Sequence, residues 1–369
     1  MRVAVVGVGH LGRIHARILS KLEGVTLAAV VDPLESNRQE AAANYGATAH
    51  LHHRELIGKV DAAVVATPTR FHCQVARELL AAGIHLLVEK PLAASTSQAA
   101  ELVELARRNG AVLQVGHVER FNPAFTAAQP YLREPKYIEA VRRSGFSFRS
   151  TDIGVVLDLM IHDIDLVLSL VASPLRRVDA LGVALFGRHE DVVNARLTFE
   201  NGCVAALSAS RASHTAARTM HLWSCHGMTA LDLAARTVDL VRPSAALTRG
   251  EIDVERMTPE EQQSLRQTLL DEHLPRHSLI VETTDPLTNE LVDFVTAIRT
   301  GRAPCVTGQA GLDAITLAER ILLQVQTHAW EGSPTGPVGP RIAATPEILR
   351  GPHWHLKPSE APNELRRAG

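Results

Sequence analysis

Cysteine is scarce. The 369 residues hold four, Cys73, Cys203, Cys225 and Cys305, widely spaced and with no CxxC pair. Such spacing supports neither a zinc site nor a redox dithiol, so no metal centre is expected. Isolated cysteines fit a reducing compartment, and a cytoplasmic protein is expected. An excess of charge of one sign is lacking too. With 38 Lys and Arg against 40 Asp and Glu the net charge is −2. No global basic field is there to recruit nucleic acid or a membrane surface. Long apolar runs are missing as well. The one near the amino end, residues 3–6, meets a glycine at position 7. It is too short for a secretion-signal core or a membrane span. What remains is 46% hydrophobic and 21% charged residues, ordinary for a soluble globular chain long enough for two domains.

The first positive signal is a strand–turn–helix–strand pattern. An apolar run leads into Gly7-Val-Gly9-His10-Leu11-Gly12, then a helical stretch to Leu22, then a strand over 27–31 ending at Asp32. Gly7 permits a tight turn. Gly9, beside His10 and Leu11, lets a pyrophosphate approach the backbone, and Gly12 lets helix and strand pack closely. Asp32 is placed to accept hydrogen bonds from both ribose hydroxyls and to repel a 2′-phosphate, which favours NAD over NADP. Arg38 lies too far along to change that.

The alternation continues with strands at 62–66, 84–88 and 111–115 and helices between them, which implies a parallel doubly wound sheet. Ligands bind such sheets at the carboxyl ends of the strands. Thr67, Pro68, His72, Glu89 and Lys90 fall there. For Thr67 and His72, turn capping competes evenly with cofactor contact. Gly116-His-Val-Glu-Arg-Phe-Asn-Pro123 marks the crossing to a second domain. Arg120 and Asn122 could reach a sugar hydroxyl or a phosphate from this crossing. Equally, Arg120 could pair with Glu119, and Asn122 could cap the helix that Pro123 begins.

Beyond the crossing, residues 155–170 are expected to be one helix, with Asp158, His162 and Asp165 sharing a face. A lysine at a strand end facing a carboxylate–imidazole pair can move a proton. From 177 onward the pattern becomes strands. Asn201-Gly202 is expected to close a hairpin as a type I′ turn, and 251–277 reads as a helix-bearing excursion. The expected fold is α/β. A Rossmann sheet over 1–118 is followed by an α+β domain with an open, mainly antiparallel sheet over 119–329. Residues 330–369 form an irregular Pro/Gly-rich tail.

Together Gly7–Gly12, Asp32, Ala66-Thr67-Pro68, Glu89-Lys90-Pro91 and Asp158…His162 resemble the Gfo/Idh/MocA family of NAD(P)-dependent sugar oxidoreductases. The resemblance implies a catalytic Lys90, a Lys90–Pro91 bond free to be cis, and an active-site pair in Asp158 and His162. Asp158 would orient His162. Either His162 or Lys90 could be the base. The imidazole has the more suitable unperturbed pKa, about 6.5 against about 10.4 for lysine. A finer likeness, in residues 116–123, 158–165 and 200–205, is to UDP-N-acetylglucosamine 3-dehydrogenases. It implies a UDP-sugar substrate, an aminotransferase acting on the product, and assembly as a homodimer or homotetramer. Other members of the family take inositols, free hexoses or UDP-sugar acids. Arg142, Arg143, Arg149 and Arg211 are candidate diphosphate partners. A dinucleotide sensor without turnover is the remaining alternative.

Overall fold

A computed structural model describes residues 1–148, 153–330 and 338–340. Six parallel strands make the first sheet: β1 (Arg2–Val6), β2 (Thr26–Val31), β3 (Thr48–His50), β4 (Ala62–Val65), β5 (His85–Glu89) and β6 (Leu113–Gly116). Their order is β3-β2-β1-β4-β5-β6. The helices between them are α1 (His10–Leu19), α2 (Glu35–Tyr45), α3 (Thr69–Ala81) and α4 (Thr96–Arg108). β1, β4 and β5 are apolar and buried nearly throughout because helices cover both faces of a parallel sheet. The strand order reverses between β1 and β4, and the open crevice of such a sheet lies there.

The second unit begins with the short α5 (Pro123–Ala128) and β7 (Tyr137–Arg143). One π-helical turn, Val156–Met160, then leads into α6 (Ile161–Leu170). The sheet continues with β8 (Leu175–Val183), β9 (Val192–Phe199), β10 (Val204–Ser210), β11 (Ala217–Ser224), β12 (Gly227–Asp232) and β13 (Thr237–Val241). The excursion carries α7 (Ala245–Thr248), α8 (Pro259–Thr268) and an edge strand, β14 (Arg276–Ser278). Its eight strands run β14-β13-β12-β11-β7-β10-β9-β8, antiparallel except for β7 beside β10. Two long helices close the chain, α9 (Pro286–Thr300) and α10 (Gly308–Thr327). α9 turns back to the first sheet: Leu291 and Phe294 pack in one cluster with Val3, Val5, Leu19 and Leu87. No helix among the described residues is long and apolar enough to cross a membrane.

Two local expectations are corrected. Asn201 does not adopt positive φ; only Gly202 does, at 82°. The Gly202 amide bonds to the Phe199 carbonyl and the Phe199 amide to the Cys203 carbonyl. That is the pattern of a type I turn closed by a left-handed glycine, the three-residue alternative to a two-residue type I′ loop. The helix expected over 155–170 spans those residues without a break, but its first turn is π-helical rather than α-helical, a feature frequent at functional sites. Of the tail, Ala329 bridges Val338, and the Trp330 indole donates to the Gly339 carbonyl. Residues 331–337 and 341–369, for which an irregular chain is expected, lie outside the described residues.

Candidate active site

The glycine turn is built as its spacing requires. Gly7 sits at φ +86°, and a methyl group there would lie 2.8 Å from the Ala66 carbonyl oxygen. A methyl on Gly12 would collide with the Gly7 carbonyl, so α1 can seat on β1 only with glycine at this position. Gly9 faces open space, and the exposed His10 and half-buried Leu11 begin α1 beside it. The helix thus presents its unpaired amides where an anion can approach.

Asp32 is 6% exposed. One carboxylate oxygen accepts from the Val8 amide at 2.9 Å and the other from the Leu34 amide at 2.9 Å. The group therefore ties the glycine turn to the end of β2 and keeps lone pairs for a ribose. Arg38 departs from expectation. Its guanidinium folds back to the Pro33 carbonyl at 3.1 Å and stands beside Asp32 rather than away from it. Thr67, at the end of β4, keeps its Oγ1 buried with no partner among the described residues. Asp32→Ala is expected to raise the NADH dissociation constant by ~10- to 100-fold, the range of hydrogen bonds to a charged group. Calorimetric titration checks it.

Of the two readings of His72, the structure shows the loop-fastening one. Its Nδ1 lies 2.8 Å from the Pro91 carbonyl and its Nε2 2.8 Å from the Thr67 carbonyl. It straps the β4 loop to the β5 loop from behind. Burial lowers its proton affinity, opposed by the two carbonyls. Pro68 is exposed and caps α3.

The Lys90–Pro91 peptide bond is cis. The Lys90 side chain, 18% exposed, crosses to the second unit and donates to the Asp158 carbonyl at 2.6 Å and to the Asp158 carboxylate at 3.2 Å. The π turn presents both oxygens to the lysine. Asp158 is therefore committed to Lys90, and no hydrogen bond joins it to His162, contrary to the orienting role expected. The His162 Nδ1 is buried with no partner among the described residues, while the residue as a whole is half-buried. Burial first, then the Lys90 and Arg142 charges, hold its pKa well below the usual value.

At the end of β6, His117 is 1% exposed, with both ring nitrogens unpartnered among the described residues. Its ring stands edge-on to His162, centroids 6.3 Å apart. In the sequence this histidine stands in the 116–123 crossing without an assigned role. Its signal was a lone imidazole at a strand end of the nucleotide sheet. Arg120 pairs not with Glu119 but with Asp165, at 2.7 Å and 3.3 Å. Asn122 is consumed locally: it caps Ala124 and donates to Glu119 and to the Leu233 carbonyl. That leaves it the cap of α5, with its side-chain amide spent.

Arg142 and Arg211, read as diphosphate candidates, are occupied. Arg142 is 3% exposed, forked onto Asp163 and bonded to Glu119 at 2.7 Å. Arg211 bonds Asp191 at 2.7 Å and the Ile153 carbonyl at 2.8 Å. Arg143 is exposed, and Arg149 lies outside the described residues.

A dinucleotide turn, a strand-end lysine and an acidic and imidazole face supplied by a second unit define the class. The chain belongs to the Gfo/Idh/MocA family of oxidoreductases. The family's NAD-binding Rossmann model matches residues 1–117, and its C-terminal domain model matches 116–229. The protein is a NAD-binding dehydrogenase acting on CH–OH groups. Within the family it is similar to UDP-N-acetylglucosamine 3-dehydrogenase of Acidithiobacillus ferrooxidans. Identity is 34% over 331 residues, 88% of this chain and 97% of the relative. A solved structure of that enzyme superposes with a TM-score of 0.77 at 32% identity, over 88% of this chain and 97% of that one. The inositol 2-dehydrogenase of Rhizobium meliloti is 24% identical over 350 residues, 88% of this chain and 97% of the relative. A levoglucosan dehydrogenase in complex with NADH shares the fold, with a TM-score of 0.75 at 17% identity over 88% of this chain and 96% of that one.

Proposed function

We propose that the protein oxidises a UDP-linked amino sugar, UDP-N-acetylglucosamine, at its C3 hydroxyl to the ketone. The chemistry rests on one observation: the Lys90 ammonium is held on Asp158 across the cleft, beside the His162 ring. The substrate rests on the 34% identity that spans nearly the whole relative. When bound, NAD accepts the hydride from the carbinol carbon. His162, unprotonated across the neutral range, takes the hydroxyl proton as the carbonyl forms. Lys90 donates to the reacting oxygen, and Asp158 keeps the lysine in place. The ketone then suits a following aminotransferase that makes a 3-amino sugar for lipid A. A homodimer or homotetramer in the cytoplasm completes the proposal.

The test is NADH formation from NAD and UDP-N-acetylglucosamine, with an aminotransferase and glutamate present to remove the ketone. Turnover with this substrate and none with myo-inositol or free hexoses supports the reading. Turnover of inositols, hexoses or UDP-sugar acids instead moves the substrate within the family, and NADH binding without any turnover marks a sensor.

A base must be unprotonated to act, and His162 is held well below its usual pKa by burial and neighbouring cations. The value of kcat/KM is therefore expected to stay level from about pH 8 to about pH 6. A decline with a midpoint near the ordinary histidine value would speak against this role.

A further inference from the structure

Behind Lys90 lies a second group of titratable side chains that the reaction above does not use. Glu290, at the start of the second turn of α9, is 0% exposed, and both of its carboxylate oxygens lack a donor among the described residues. Its ligand atoms and those of Glu89 and His15 lie within 4.8 Å of one another. His15 is 0% exposed and meets Glu89 Oε1 through Nε2 at 2.7 Å. Glu89 Oε2 accepts the Lys90 backbone amide at 3.3 Å. Gly116 backs the same carboxylate so closely that a methyl there would stand 2.8 Å from Oε2. The Gln114 amide group donates to the Glu290 backbone carbonyl at 3.0 Å and fastens that turn of α9 to β6.

Two buried carboxylates this close do not both ionise. The donors decide which one keeps the charge. Glu89 has the His15 ring and the Lys90 amide, whereas Glu290 has none, and an ionised carboxylate without donors is far too costly to bury. Burial first, then the Glu89 and Asp293 charges, raise the Glu290 carboxyl well above its ordinary range. Of the other groups nearby, Asp293 is engaged by Arg302 and the Cys305 amide, and Lys90 points away to Asp158. A shared metal ion fits less well. The His15–Glu89 separation of 2.7 Å is that of a hydrogen bond. Two ligands on one tetrahedral zinc stand about 3.3 Å apart.

We propose that Glu290 is a positioning residue: a neutral carboxylic acid that keeps its proton and directs its O–H toward the Glu89 carboxylate as a hydrogen-bond donor, leaves a single negative charge under the start of Lys90, and so holds that lysine at its working place. The role in turnover rests on Lys90 acting in the reaction; the protonation itself does not. α9 thereby reaches from the far end of the chain to the catalytic strand.

The test has two arms on the full-length protein. Infrared spectroscopy at neutral pH should show a protonated-carboxyl stretch that disappears in Glu290→Gln; its absence from the wild type overturns the proposal. Steady-state kinetics should show Glu290→Gln close to wild type, since the amide is a neutral donor of the same shape. Glu290→Leu should lose roughly tenfold or more in kcat, the value of one hydrogen bond to a charged group, with KM little changed. If Glu290→Gln is as damaged as Glu290→Leu, an ionised Glu290 is the working form and the proposal falls. If Glu290→Leu melts lower yet keeps full kcat, the residue is structural only and the proposal falls. If Lys90→Met keeps its turnover while the infrared band is present, the reading of Lys90 fails and the protonation stands.

Discussion

Lys90→Met is expected to lower kcat by ~10²–10⁴-fold, the range of a positioned proton donor or acceptor, with NADH binding retained. Methionine keeps the length and apolar stem of the side chain but removes the donor that meets Asp158 at 2.6 Å and 3.2 Å. The groups placed to hold the dinucleotide, the open Gly9 turn, Asp32 and the orphan Thr67 hydroxyl, are separate from that donor. Turnover and affinity should therefore part company. Stopped-flow absorbance for the hydride step and fluorescence titration for NADH give the two numbers. A variant that turns over near the wild-type rate removes Lys90 from the chemistry.

Arg142→Ala is expected to destabilise the protein by about 3–5 kcal/mol, because it strands two buried carboxylates without their cation. Asp163 and Glu119 are both nearly inaccessible, and the guanidinium is bonded to each. Burial works against the Arg142 charge, but the two carboxylates outweigh it and hold the proton more firmly than water does. The melting temperature should drop on the order of 10 °C. If Arg142 instead bound a substrate diphosphate, the variant would melt normally and show a raised KM. Thermal denaturation followed by circular dichroism separates the two.

These two residues show how far the sequence places a side chain and where that placement stops. Lys90 was legible because it closes an apolar strand and is followed by proline, and strand ends in such sheets face the ligand. Arg142 was legible only as an arginine on a strand. Whether it faces a phosphate or a carboxylate depends on what α6 brings against β7, and Asp163 lies some twenty residues on. His162 and Asp158 were legible as a pair four apart, yet the π turn parts them and gives Asp158 to the lysine. His15 sat in the buried stripe of α1 with Gly12, Ala16 and Leu19, where its partner Glu89 could not be read from spacing.

What the sequence by itself determined is local. Glycines whose spacing matches a turn, the period of apolar residues and the chemistry of Asp32 act within a few residues, so the Rossmann sheet, its cofactor and the strand that ends at Lys90 follow from order along the chain. The tertiary structure decided the pairing of charges. Buried ions need partners, and in this fold those partners come from distant elements: Asp158 for Lys90, Asp165 for Arg120, Asp163 for Arg142, and His15 for Glu89. Desolvation makes each choice costly to change, but only packing brings the candidates within reach.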